Sequence, residues 1–180
     1  MSDIIILIST AGGEIFRVLK RDVAPCSVTL RNLIEEMSGE DSLIKGGGEM
    51  QEKDAIPLPN ITAATFKKVI DYCKEHATDK AAVVTEAGVA KPASLSAYQE
   101  TTFDAEFIKD MTFKDIEPIV VAANYLDIRG LIDLCSRAIA RAVQGKTPKE
   151  VFEYFGQEYK ELSADERKKY EDENPFLKGE

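Results

Sequence analysis

Ile4-Ile5-Ile6-Leu7-Ile8-Ser9-Thr10-Ala11-Gly12-Gly13-Glu14-Ile15-Phe16-Arg17-Val18 sets the architecture at the amino-terminal end of the chain. The aliphatic run from Ile4 to Ile8 is β-branched and continuous, which reads as a buried strand. Gly12-Gly13 supplies a tight turn. Glu14 to Val18 begins with apolar–polar alternation and reads as the returning strand, so the segment is a β-hairpin.

Beyond the hairpin the chain is mostly helical in period. Ser27 is an N-cap, and Leu30, Leu33, Ile34 and Met37 fall at i, i+3, i+4, i+7 behind it. Ile56-Pro57-Leu58-Pro59 is too proline-rich for a central strand and suits a short edge strand. Asn60 or Thr62 then caps a helix whose stripe is Phe66, Val69, Ile70 and Cys73. Ile116, Ile119, Val120 and Ala123 form another stripe, ending around Tyr125 to Ile128 with Gly130 at the break. Leu131, Leu134, Cys135, Ala138, Ile139, Ala142 and Val143 continue with strong helical periodicity. Two stretches have little to bury and read as flexible loops: about 38–55, with Gly46-Gly47-Gly48, and about 77–102, rich in Ala, Thr and Ser.

The carboxyl-terminal segment carries the sharpest punctuation. Thr147-Pro148-Lys149-Glu150 is a capping box with proline at the first helical position, and its helix should stop at Gly156. Ser163-Ala164-Asp165-Glu166 is a second box, with Pro175 forbidding continuation past Asn174. Between Ala164 and Asn174 the only sizeable apolar body is Tyr170. Yet residues 152–180 hold Phe152, Tyr154, Phe155, Tyr159, Tyr170 and Phe176, six of the fourteen Phe and Tyr in the chain. A short helix with so little core of its own is marginal in water, and aromatics on such elements suit a protein interface. The competing reading is a small subdomain that packs them on the preceding helix.

Composition excludes several function classes. The 180 residues are 44% hydrophobic, enough for a core, and carry 23 Lys and Arg against 32 Asp and Glu, a formal charge of -9. An acidic surface repels phosphate backbones and anionic lipid, so nucleic acid and membrane are poor partners. His76 is the sole histidine. Its C-x-x-H spacing from Cys73 has no second ligand pair, so metal is not expected, and His76 reads as part of a solvated helix end with Asp71 and Glu75. Gly46-Gly47-Gly48 lacks the Lys-Ser/Thr of a phosphate loop. Asp115 and Glu117 read as first-turn helix acids. Cys26, Cys73 and Cys135 form no CxxC and read as reduced, buried thiols of an intracellular chain. No signal peptide or membrane-length apolar run is present, and the expected location is cytoplasm and nucleus. No catalytic constellation and no cofactor site emerge, so the chain is expected not to be an enzyme.

Three further segments carry a resemblance. Ile56-Pro57-Leu58-Pro59-Asn60-Ile61, Ala122-Ala123-Asn124-Tyr125-Leu126-Asp127-Ile128 with Gly130-Leu131, and Gly145-Lys146-Thr147-Pro148-Lys149-Glu150-Val151 occur in order. With the hairpin, Ser27-Val28-Thr29 and Phe66-Lys67-Lys68-Val69-Ile70, the set resembles the S-phase-kinase-associated protein (Skp) family, the adaptor subunit of SCF (Skp–cullin–F-box) ubiquitin ligases. The likeness covers nearly the whole chain outside the two loops. It implies an α/β (α+β) BTB/POZ fold over residues 1–145 and two additional C-terminal helices, an F-box-binding extension, over 146–180. It implies a non-catalytic bridge between the cullin N-terminal region and F-box proteins, with a homodimer when no F-box is bound. By matching positions, Asn124 and Tyr125 contact the cullin. The F-box stretch runs from Leu131, with Phe152, Phe155, Tyr170 and Phe176 as contacts. Pro148 matches a proline that some protists hydroxylate and glycosylate. Elongin C shares the BTB/POZ part but lacks the segment after Gly145. A different use of the same module, as a kinetochore or vacuolar-ATPase-regulator subunit in a non-ligase F-box complex, is the alternative. Asn174-Pro175-Phe176 stands where the family carries tryptophan after Glu-Asn, and Gly156 to Leu162 also departs from its pattern.

Overall fold

A computed structural model describes residues 4–37, 50–78 and 100–174. Most of both expected loops, 38–49 and 79–99, lies outside the described residues, as does Phe176. The hairpin forms as read: β1 (Ile5–Thr10) pairs antiparallel with β2 (Ile15–Leu19), in register from Ile5 opposite Leu19 to Ser9 opposite Ile15. Gly13 closes the turn at φ +78°, a conformation that glycine adopts without a Cβ clash. The chain then runs through α1 (Lys20–Val23) and α2 (Val28–Glu36), with Ser27 capping α2 by accepting from the Leu30 N–H at 3.0 Å.

A 3₁₀ turn at Glu52–Asp54 leads into β3 (Ile56–Leu58), which pairs parallel to β1 and completes a sheet of order β2-β1-β3. Proline is tolerated in β3 because the strand lies at the sheet edge, where a missing N–H breaks no ladder on the outer side. The central strand β1 buries Ile6, Leu7 and Ile8 in succession, the pattern of a strand covered on both faces.

Helices cover the sheet. These are α3 (Ala63–His76), α4 (Thr102–Ile108), α5 (Phe113–Tyr125) and α6 (Arg129–Val143). Thr62, not Asn60, caps α3, accepting from the Thr65 N–H. The expected stripes supply the buried residues Phe66, Val69, Ile70 and Cys73 on α3, Ile116, Ile119 and Ala123 on α5, and Leu131, Leu134 and Cys135 on α6, whereas Val120, Ala138, Ile139, Ala142 and Val143 of the same stripes are only half-buried. All join one core with Ile6, Ile8, Leu30, Ile34 and Leu58. Phe16 from β2 meets Phe66 edge-on at 5.2 Å. All three cysteines are free and buried.

Two local expectations are corrected. The break between α5 and α6 falls at Asp127, which takes φ 49°, and Gly130 lies inside the first turn of α6. Aspartate is among the few residues that visit the left-handed region with tolerable strain, and the Arg129 Nε–H holds its carboxylate at 2.8 Å. His76 is not solvated. It is buried, with Nε2 2.9 Å from Oδ1 of the fully buried Asp104, and its ring lies 4.3 Å from that of Tyr72.

The chain divides into two compact units, Met1–Ala142 and Val143–Glu180. The second contains α7 (Pro148–Tyr154) and α8 (Ala164–Glu173). None of its described residues is buried.

Candidate functional site

The first candidate face is the outer side of α5. Thr112 and Asp115 start this helix with a capping box: the Thr112 N–H and hydroxyl both donate to Asp115 Oδ2, at 2.9 and 2.6 Å. The hydroxyl first, and the backbone N–H second, hold the Asp115 carboxyl below its ordinary value. Asp115 is therefore the first-turn acid expected, while Glu117 sits exposed on the outer face.

With Ile116, Ile119, Ala122 and Ala123 turned inward, the helix exposes Glu117, Pro118, Val121, Asn124 and Tyr125. Val121 is 59% exposed and Tyr125 46%, four residues apart on one face. Asn124 and Tyr125, the residues expected to meet a cullin, are exposed at the last turn of the helix. Val121 and Pro118 were not singled out from sequence. The signal was available: Val121 is apolar yet falls outside the inward stripe. Pro118 has no N–H to donate to the Lys114 carbonyl, a departure inside a helix. An open recess of about 230 Å³ continues this patch onto Asn60, Thr62 and Glu117.

The last turn of α5 is closed by a Schellman arrangement. The Ile128 N–H donates to the Ala123 carbonyl at 2.8 Å and the Asp127 N–H to that of Asn124 at 3.2 Å. Asp127 holds the left-handed position that glycine commonly fills.

The second candidate face is the carboxyl-terminal unit. In α7 the Thr147 N–H and hydroxyl donate to Glu150 Oε2 at 2.8 and 2.7 Å, and Thr147 Oγ1 accepts from the Glu150 N–H. Pro148 occupies the first helical position and is exposed. The helix stops at Gly156, φ +67°. Gly156 and Gln157 there donate to the Glu153 and Phe152 carbonyls at 3.0 and 2.8 Å, a second Schellman motif. Ser163 and Glu166 form the box that opens α8. Hydrogen bonds from these caps keep both carboxyls, Glu150 and Glu166, below the ordinary glutamate range.

Neither helix is held by a core. Phe152 is 43% exposed and Tyr170 50%. Val151, Tyr154 and Phe155 are half-buried, and every described side chain of α8 is exposed. Phe152 meets Tyr159 edge-on at 5.5 Å, and Tyr154 meets Phe155 at 5.2 Å. The first of these contacts ties the segment after Gly156 to α7 without enclosing it.

Leu131 is a correction. It was expected at the start of the F-box stretch, but its side chain is fully buried in the core among the sheet-covering helices. It holds α6 in place and offers no surface to a partner. The periodicity that marked Leu131 as core was the better guide. No group of three or more His, Cys, Asp or Glu is placed to hold a metal ion among the described residues. No helix there is long and apolar enough to cross a membrane.

A three-stranded sheet covered by helices, followed by a capped helical extension, defines an α/β protein of the BTB/POZ type. Residues 3–78 match the tetramerisation domain of the Skp1 family, and residues 129–176 match its dimerisation domain. SKP1-like protein 20 of Oryza sativa subsp. japonica is 34% identical, covering 83% of this chain and 81% of its own. SKP1-like proteins 3 and 4 of Arabidopsis thaliana are 36% and 34% identical, each covering 83% of this chain and 82% of its own. The chain belongs to the Skp1 family. Membership carries the general role of an adaptor in SCF ubiquitin ligases, a role of interaction with cullins and F-box proteins.

Proposed function

We propose that this chain is the non-catalytic adaptor that joins a cullin scaffold to F-box receptors, and so brings substrates to the ubiquitin-transferring machinery. One observation carries the reading. A family member keeps its core in one compact unit and adds a second unit that buries none of its described residues yet displays aromatic side chains. Aromatics left exposed on well-capped helices support a partner-binding role, since such side chains supply large contact area at small entropic cost. The exposed Val121, Asn124 and Tyr125 are the cullin contacts in this reading. Phe152, Phe155 and Tyr170, with Phe176 beyond the described residues, meet the F-box. The adaptor holds its two partners at a restricted separation, which raises the effective concentration of receptor-bound substrate.

Free buried thiols support a reducing compartment, and we place the protein in cytoplasm and nucleus. Without an F-box, two copies cover each other's aromatics as a homodimer. The exposed ring of Pro148 is open to hydroxylation, which intact mass of that peptide tests. The main experiment is affinity measurement of the full chain against a cullin N-terminal fragment and, separately, an F-box peptide. Binding both supports the adaptor. Binding the F-box alone supports the non-ligase complex, and binding neither overturns the proposal.

A further inference from the structure

The two carbonyls that end α5 are held by hydroxyls from a distant part of the chain. The backbone alone satisfies the carbonyls of Ala122, Ala123 and Asn124, through the N–H groups of Leu126, Ile128 and Asp127. Those of Tyr125 and Leu126 come next and have no helical donor ahead of them. The Thr29 hydroxyl donates to the Tyr125 carbonyl at 3.1 Å, and the Ser27 hydroxyl to the Leu126 carbonyl at 2.6 Å. Ser27 is fully buried and its oxygen also accepts the Leu30 N–H, so its orientation is set from both sides.

We infer that Ser27 and Thr29 are positioning residues for the cullin contact, acting through the backbone of Tyr125 and Leu126. The inference rests on the proposed cullin face, since only then does the last turn of α5 have a partner to meet. Four features converge on it. Both hydroxyls come from the start of α2, so one rigid element sets both bonds. The N-terminus of α2 thereby lies against the C-terminus of α5, an arrangement in which the helix dipoles attract. The anchored residue Tyr125 is itself half exposed, so its own side chain does little to fix the turn. The turn ends in a non-glycine left-handed residue, Asp127, which makes it a costly conformation to leave unsupported. Losing the hydroxyls lets the terminal turn fray, and Asn124 and Tyr125 then lose their fixed direction before binding.

The test uses the full chain with Thr29→Val, which removes one hydroxyl at constant shape, and Ser27→Ala as the second variant. Thr29→Ser and Ser27→Thr are the rescues, and Asn124→Lys with Tyr125→Lys is the control. Affinity for a cullin N-terminal fragment and for an F-box peptide is measured beside the melting temperature. Thr29→Val should lower cullin affinity about threefold to tenfold, leave F-box affinity unchanged, and be restored by Thr29→Ser. Full cullin affinity in both hydroxyl variants, with loss in the lysine control, overturns the positioning role alone. A parallel fall in both affinities overturns it as well, because that reports general damage. Retained cullin binding in the lysine control overturns the assignment of the face itself.

Discussion

His76 and Asp104 are a polar pair enclosed by the core. Asp104 is fully buried and also receives the Thr101 N–H at 2.8 Å and the Thr101 hydroxyl at 3.0 Å, while the His76 ring is flanked by Tyr72 and Phe103. Removing the imidazole strips a hydrogen bond from a buried carboxylate and opens a hole beside two aromatic rings. His76→Ala should therefore destabilise the chain by about 2–4 kcal/mol in urea unfolding, and a loss within error would show that the pair is decorative. The signal for His76 lay in its place three residues after Cys73, which continues the inward stripe of Phe66, Val69 and Cys73. Its polarity led to the solvent reading, because a lone histidine carries no sign of the carboxylate 28 positions later that makes burial tolerable. The thiols make the second case. A bond from Cys26, and then burial, push the Cys73 thiol well up, and burial alone pushes Cys135 to about 12. The nucleophile is the thiolate, so both should react with a thiol reagent near neutral pH no faster than the chain opens, and rapidly in denaturant. Fast labelling of either in the native protein would refute this.

Caps matter more for elements that lack a core. Among the described residues four helices begin with the same box, at Thr101/Asp104, Thr112/Asp115, Thr147/Glu150 and Ser163/Glu166. The last two were legible because each is an uninterrupted Thr/Ser-x-x-Glu ahead of a helix of clear length. The first two use aspartate and come after irregular segments. For α4 and α5 the box supplements burial; α7 and α8 have no buried residue among those described to rely on. The acid is held down by the Thr147 hydroxyl and then its N–H at Glu150, and by the Ser163 N–H and then its hydroxyl at Glu166. The folded helix thus binds each proton more weakly than the unfolded chain does. The stabilisation is complete above the ordinary glutamate value of 4.5 and is lost as pH falls through the lowered folded value. Helical carbon chemical shifts of α7 and α8, followed in the full chain by NMR, should weaken across that acid range while those of α3 persist. Glu150→Gln should flatten the response in α7 only. Equal acid sensitivity of α3 and α7 would assign the change to the whole fold instead.

At the scale of the molecule, the division of labour between the two units explains what could be read early and what could not. The hairpin, the edge strand with Pro57 and the inward stripes were visible because burial imposes a period, and the period survives in sequence. The exposed faces have no period of their own. Val121 and Tyr125 stand out only once Ile116, Ile119 and Ala123 are known to point inward. The role of α6 was blurred for a related reason. It belongs to the family match at residues 129–176 together with the extension, yet Leu131, Leu134 and Cys135 are enclosed in the core of the first unit. This separation predicts how the chain behaves when cut and when bound. We propose that residues 1–145 fold without the rest, since among the described residues every buried core residue lies at or before Cys135. That fragment should melt cooperatively near the temperature of the full chain, bind a cullin N-terminal fragment and fail to bind an F-box peptide. In the intact protein diluted to the monomer, amides after Gly156 should exchange within the shortest labelling times, because capped helices without burial open easily. Adding an F-box peptide should protect α7 and α8 while leaving β1 and α3 unchanged. Strong protection of α8 in the free, monomeric protein would mean that its aromatics already have a partner within the chain, and the extension would then be a packed subdomain and not a waiting interface.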